Sequence, residues 1–204
     1  MTAGRYENTR ARNVIDTAFR KAGIPLSVSL GVYYHQCMQN MMLDTLELDV
    51  DYIVTVDGDS FIASDQILLL LKEMVEDPTL DAIAAMQAKR GENVMLAGCD
   101  GEKTVTVGPE PIRVDAAHFG LTAIRAEALR RTPLPLFLPV PNGEGRWDEG
   151  RIDADIYFWQ NWKKAGNTLA VHPHVRIGHM EEMVSMYDAN FQLHHVYPNE
   201  WEPA

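Results

Sequence analysis

Tyr52-Ile53-Val54-Thr55-Val56-Asp57-Gly58-Asp59 is the stretch on which the fold turns. Tyr52 to Val56 is mostly β-branched and aromatic and reads as a buried strand. Asp57 and Asp59 follow where that strand ends. In open α/β sheets this edge is the ligand crevice, and carboxylates two positions apart there can grip a hard divalent cation shared with a substrate's phosphates. The pattern points to metal-assisted transfer or hydrolysis. Acids after a strand also serve as turn residues or helix caps. Ser64 is already placed to cap the helix that follows, so neither aspartate is needed for that task.

On the N-terminal side, Asn8 to Ala22 spaces Val14, Ile15, Ala18 and Phe19 as a helix, which Gly23 and Pro25 close. Leu26 to Leu30 alternates apolar residues with Ser, as a strand does. Tyr33 to Leu48 repeats Met38, Met41, Met42, Thr45 and Leu46 at helical intervals, a stripe that reads as core packing. On the C-terminal side, Ser64 to Glu76 is an amphipathic helix ended by Asp77-Pro78, and Asp81 to Met86 is a short apolar strand. This alternation predicts an α/β fold with a mostly parallel central sheet and helices on both faces.

Gly91 to Pro111 carries four glycines around Val94-Met95-Leu96 and Thr104-Val105-Thr106-Val107, which suits a small β-ribbon insertion. Ile112 to Ala116 reads as a further strand, followed by Leu121 to Ile124 and a short helix from Arg125 to Arg131. Thr132 to Gly150 is a long loop, Pro-rich and then Gly-rich, and such loops in compact domains are often functional. Within it Trp147 either anchors the loop to the core or offers a flat face for stacking on a sugar or base. Asp153 is placed to cap a helix running to Lys164. Asp155 lies about one turn inside, where the helix dipole favours an ionised carboxylate fit to accept a proton. Val175-Arg176-Ile177-Gly178-His179 is strand-like, and a neutral imidazole at its end suits Mn-class cations.

The chain of 204 residues is long enough to bury a sizeable core and is expected to form one domain, with residues 180–204 as a tail bearing Tyr187, Phe191, Tyr197 and Trp201. It has 29 acids against 18 Lys and Arg, a formal charge of -11, which argues against a nucleic-acid backbone or an anionic membrane as partner. An acidic protein that holds an anionic diphosphate needs a cation between the two, which again favours the carboxylate pair as a metal site. Cys37 and Cys99 have no metal-ligand spacing and read as reduced thiols. The start lacks an apolar leader and Ile67 to Leu71 is too short to cross a bilayer, so a cytoplasmic protein is expected.

These motifs, in this order, resemble the GT-A glycosyltransferases, especially family-2-like bacterial and phage enzymes. The resemblance rests on the Asp-x-Asp after the third strand, the central strand with Phe119-Gly120 and Ile124-Arg125, the acidic helix start followed by an aromatic residue, and the closing Gly178-His179. It implies transfer of a sugar from a nucleotide-diphosphate sugar to a glycan or other acceptor hydroxyl. By resemblance, Asp57 faces the nucleoside and the metal, while Asp59 and His179 complete a Mn2+ or Mg2+ site. Asp155 matches the base of inverting members, and Phe119 and Gly120 match the segment lining the acceptor side, where Trp147 is also placed. Arg5 and Tyr6 fall where the family recognises the nucleoside.

Two departures stand out. Ala154 occupies the usual Glu position, and the chain opens almost at the nucleoside loop, so the first strand is expected to be short or incomplete. A haloacid-dehalogenase-like phosphatase also begins with a strand and Asp-x-Asp, but its motif sits on the first strand. A non-catalytic sugar-binding domain with a degenerate site is the third reading.

Overall fold

The computed structural model describes residues 2–4, 9–88, 97–98, 108–181, 184–187 and 192–196. Its first part runs β1 (Thr2–Gly4), α1 (Thr9–Ala22), β2 (Val28–Leu30), α2 (Tyr34–Leu46), β3 (Tyr52–Thr55), β4 (Ser60–Phe61), α3 (Ser64–Glu76) and β5 (Ala82–Met86). There follow β6 (Ala97–Gly98), β7 (Ile112–Arg113), β8 (Ala116–Ala117), β9 (Thr122–Arg125), α4 (Ala126–Arg131) and α5 (Ala154–Lys164). The last elements are β10 (Leu169–Arg176), β11 (Gly178–His179), β12 (Val184–Tyr187) and β13 (Leu193–Val196).

The central sheet has the order β3-β9-β5-β10-β7. β9 pairs antiparallel with β3 and β5, β10 pairs parallel with β5, and β7 closes the edge antiparallel to β10. β3, β5 and β10 therefore share one direction while β9 and β7 oppose it. The α/β class follows the sequence pattern, but the strand alternation did not reveal that β9 is inserted head-to-tail between β3 and β5. The short β1 and β2 pair parallel with each other.

Both sheet faces are covered, which is why the strands read as near-continuous apolar runs. Ile53, Ala82, Ala84, Ile124, Leu169 and Val171 face one way, onto Met38 and Met42 of α2 and Phe158, Trp159 and Trp162 of α5. Val54, Ile83, Ala85, Ala123 and Ala170 face the other, onto Ile15 and Phe19 of α1 and Ile67, Leu70 and Met74 of α3. Successive strand residues fall on opposite faces, as the two-residue period requires. The methionine stripe of α2 is core, as its spacing indicated.

Three local differences have physical causes. Ser64 does not cap α3. It is the first helical residue, and the N-cap Ala63 is served by its own N–H donating to Oε1 of Gln66 at 2.8 Å. The segment Ile112 to Ala116 is split, because β7 pairs with β10 while β8 pairs with β6. Conversely, Thr168–Val171 and Val175–Arg176 are joined in β10, whose register with β5 slips between His172 and Arg176, around Pro173. Most of the expected ribbon insertion, and Cys99, lie outside the described residues. Among the described residues no helix is long and apolar enough to cross a membrane.

Candidate active site

The site grows out of β3. Ile53, Val54, Thr55 and Val56 are buried, and the Thr55 hydroxyl donates to the carbonyl of Thr122 at 3.3 Å, so the strand delivers its end in a fixed place. The chain then turns, with the Ser60 N–H donating to the Asp57 carbonyl at 3.0 Å, and enters β4. β4 pairs antiparallel with β11, placing His179 opposite Ser60, and the Met180 N–H donates to the Asp59 carbonyl at 2.9 Å.

This pairing brings two sequence-distant groups together: Nε2 of His179 lies 3.5 Å from Oδ2 of Asp59. Nδ1 of His179 is 3.1 Å from the carbonyl oxygen of Ala88. A carbonyl only accepts, so Nδ1 carries a proton, and Nε2 is the ring atom that faces the Asp59 carboxylate. Two electron-rich atoms at that distance suit a cation between or beside them. Their chemistry, one carboxylate oxygen and one imidazole, fits Mn2+ better than Mg2+, and both ions are commonly completed by water and phosphate oxygens.

Asp57 takes a different partner. Its Oδ1 accepts from the Tyr34 hydroxyl at 3.4 Å, and among the described residues no group of three or more His, Cys, Asp or Glu is gathered closely enough to hold a metal by itself. The expected three-residue set is thus present as one close pair with Asp57 bonded elsewhere. Tyr34 opens α2, and sequence reading passed over it. The available signal was its position, just past the end of β2 at the start of a helix. Burial pushes its hydroxyl well above the usual tyrosine range, and the negative charges of Asp57 and Asp155 push it further. Tyr34 therefore stands in the field of both acids.

Asp155 is the second residue of α5. Burial raises its carboxyl above the ordinary value, opposed by the Ile156 N–H that donates to it at 2.9 Å, with the charge of Asp153 adding to the rise. The dipole expected to keep it ionised is outweighed by desolvation. A raised carboxyl is a stronger base once ionised, which suits proton abstraction. Asp153 occupies the N-cap position, but makes no cap bond. Its carboxylate accepts from Arg151 at 2.8 Å instead.

Phe119 and Gly120 require correction. Phe119 is 1% exposed, stacked on Trp159 at 5.1 Å and edge-on to Phe158 at 5.2 Å, so its ring belongs to the core and does not line a cleft. A Cβ on Gly120 would meet the buried carboxamide of Gln87, and the Gly120 N–H donates to Nδ1 of His118 at 2.8 Å. Gly120 thus sits against interior groups. His118, another residue missed, is buried, with Nε2 bonded to the Ala85 carbonyl at 2.7 Å. Desolvation, with the nearby His179, lowers its pKa to about 4, so it is neutral.

Trp147 is 60% exposed, which removes the core-anchor alternative. Arg5 and Tyr6 lie outside the described residues. An open groove of about 690 Å3 runs along α1 from Thr9 to Lys21 and reaches Ile62 to Ser64, beyond the acid turn, and none of the acids lines it.

No family model and no curated protein matches the chain in sequence. Solved structures match it in shape. A197 from STIV is similar over 100% of this chain and 95% of that one, with a TM-score of 0.66 and 14% identity. GalNAc-T7, solved with UDP, GalNAc and Mn2+, is similar over 87% of this chain and 36% of that one, with a TM-score of 0.52 and 14% identity. The chain thus spans little more than a third of the latter. Likeness at this identity shows the fold, a GT-A-like α/β arrangement.

Proposed function

We propose that the chain is a metal-dependent glycosyltransferase that moves a sugar from a nucleotide-diphosphate donor to an acceptor hydroxyl with inversion. The observation that carries this reading is the meeting of Asp59 and His179 at the end of β3, with Tyr34, Asp57 and Asp155 beside it. The fold it shares with GalNAc-T7, a structure holding UDP, GalNAc and Mn2+, supports it.

Asp59 and His179 would hold Mn2+ or Mg2+, with Asp57 adjoining. Such an ion neutralises charge on a departing diphosphate. The residues of the chain supply the rest. Tyr34 fixes Asp57 by donating to it, so that carboxylate keeps one orientation. Asp155 accepts the proton of the acceptor hydroxyl as the oxygen attacks the anomeric carbon and the bond to the diphosphate breaks. One displacement from the face opposite the leaving group inverts that carbon. Arg5 and Tyr6 are proposed for the nucleoside and Trp147 for the acceptor side. The whole chain is taken as one catalytic domain acting in the cytoplasm.

The test is to incubate the full chain with Mn2+ and a panel of nucleotide sugars, with a phosphomonoester in parallel. Donor hydrolysis or transfer that stops on chelation supports the reading. Phosphate release from the monoester alone would support the phosphatase, and binding without turnover the sugar-binding domain.

A further inference from the structure

Trp147 is displayed by a loop built with care. Val140 and Ile152 bridge its two ends, through N–H to carbonyl bonds of 2.9 and 2.8 Å. Asn142 organises the interior. Its Oδ1 accepts from the N–H groups of Glu144 at 3.0 Å and Arg146 at 2.9 Å, and its Nδ2 donates to Asp148 at 2.6 Å and to the Glu149 carbonyl at 3.1 Å. Gly145 turns the chain with φ of 78°, where a side chain would be strained. The loop is held by polar bonds of its own, so it does not need Trp147 as an apolar anchor. Its indole is left in water, whereas Trp159 and Trp162 are 1% exposed.

The surroundings select the ligand. Glu144, Asp148, Glu149 and Asp153 outnumber Arg146 and Arg151, and both arginines are tied to carboxylates, Arg146 to Glu144 at 3.7 Å and Arg151 to Asp153 at 2.8 Å. An anionic ligand such as a nucleotide is repelled there. A neutral ring with one apolar face and a rim of hydroxyls fits: the face lies on the indole while the hydroxyls donate to carboxylates. The loop's root also leads directly to the base: Asp153 follows Ile152, and Ala154 and Asp155 open α5.

We infer that Trp147 is the stacking platform for a neutral saccharide and that the acceptor is accordingly a glycan, an inference that rests on the transferase reading for its catalytic meaning. The preformed loop spares the ordering cost that a mobile loop would bring to binding.

The experiment follows the indole N–H resonance of Trp147, assigned by its loss in Trp147→Phe, while gluco-, galacto-, manno- and chito-oligosaccharides are titrated to about 10 mM. At least one sugar is expected to shift that resonance. Its affinity should fall about tenfold in Trp147→Ala, less in Trp147→Phe, and also fall in Asn142→Ala, with folding checked by circular dichroism. UDP affinity with Mn2+ should be unchanged in all three variants. No shift with any sugar, or an affinity unaltered in Trp147→Ala, overturns the inference. Metal-dependent UDP binding alongside that failure would leave the transferase reading standing, whereas saccharide binding without UDP binding would remove the transferase and keep the platform.

Discussion

Nε2 of His179 lies 3.5 Å from Oδ2 of Asp59, and the pairing of β11 with β4 holds the two in place. With Nδ1 committed to the Ala88 carbonyl, this edge of the sheet brings the imidazole Nε2 and a carboxylate to the same point. His179→Ala is expected to weaken Mn2+-dependent nucleotide binding by roughly 10- to 100-fold, a loss typical of disturbed metal sites, without altering the fold. Titration calorimetry with and without Mn2+ measures it.

Asp155→Asn removes the proposed base. Transfer should fall by about 10²- to 10⁴-fold while donor affinity is retained. Its folded-state carboxyl is raised, so the native chain binds more protons than the unfolded one between the ordinary value and the raised one. Stability therefore falls as pH climbs through that window, and Asp155→Asn is expected to raise the melting temperature at neutral pH. The same shift moves the acid limb of the rate profile upward from the ordinary aspartate value. Rate profiles and thermal melts check both signs.

Tyr34→Phe leaves the ring and removes the hydroxyl that holds Asp57. Stability should change by no more than about 1 kcal/mol, while turnover falls by about tenfold, as Asp57 loses its orienting donor. An unchanged kcat would show that the bond has no part in the reaction.

Phe119→Ala opens a cavity among Trp159, Phe158 and Phe137 and should cost about 3–5 kcal/mol. Measured on the folded fraction, acceptor affinity should stay as it is. Urea unfolding with a parallel binding assay separates the core role from a cleft role.

His118 has a folded pKa lowered to about 4 from 6.5, so the unfolded chain takes up a proton first as pH drops. Stability is expected to decline between those two values, by at most about 3 kcal/mol, and to level off below the lower one. His118→Gln should flatten this slope in urea midpoints taken across the range.

The strand before Asp57 and the helices Thr9–Ala22, Tyr34–Leu46 and Ser64–Glu76 were legible because apolar spacing alone specifies them. The antiparallel place of β9 was not, since a four-residue run buried on both faces carries no direction. Asp59 and His179 could be named as partners through their ligand chemistry and the order of motifs. Their contact arises from β4 and β11, strands of two residues each with no periodicity to read. Phe119 was misjudged because a motif match does not say on which side of the backbone a ring points. Tyr34 carried no motif, and its importance lies in what α2 brings it against.

The most direct measurement is calorimetry of UDP and GDP binding to the full chain, with and without Mn2+, in the native protein and in Asp59→Ala. At least one nucleotide is expected to bind only with the metal and to lose that binding in the variant. Full affinity retained in Asp59→Ala would contradict the account.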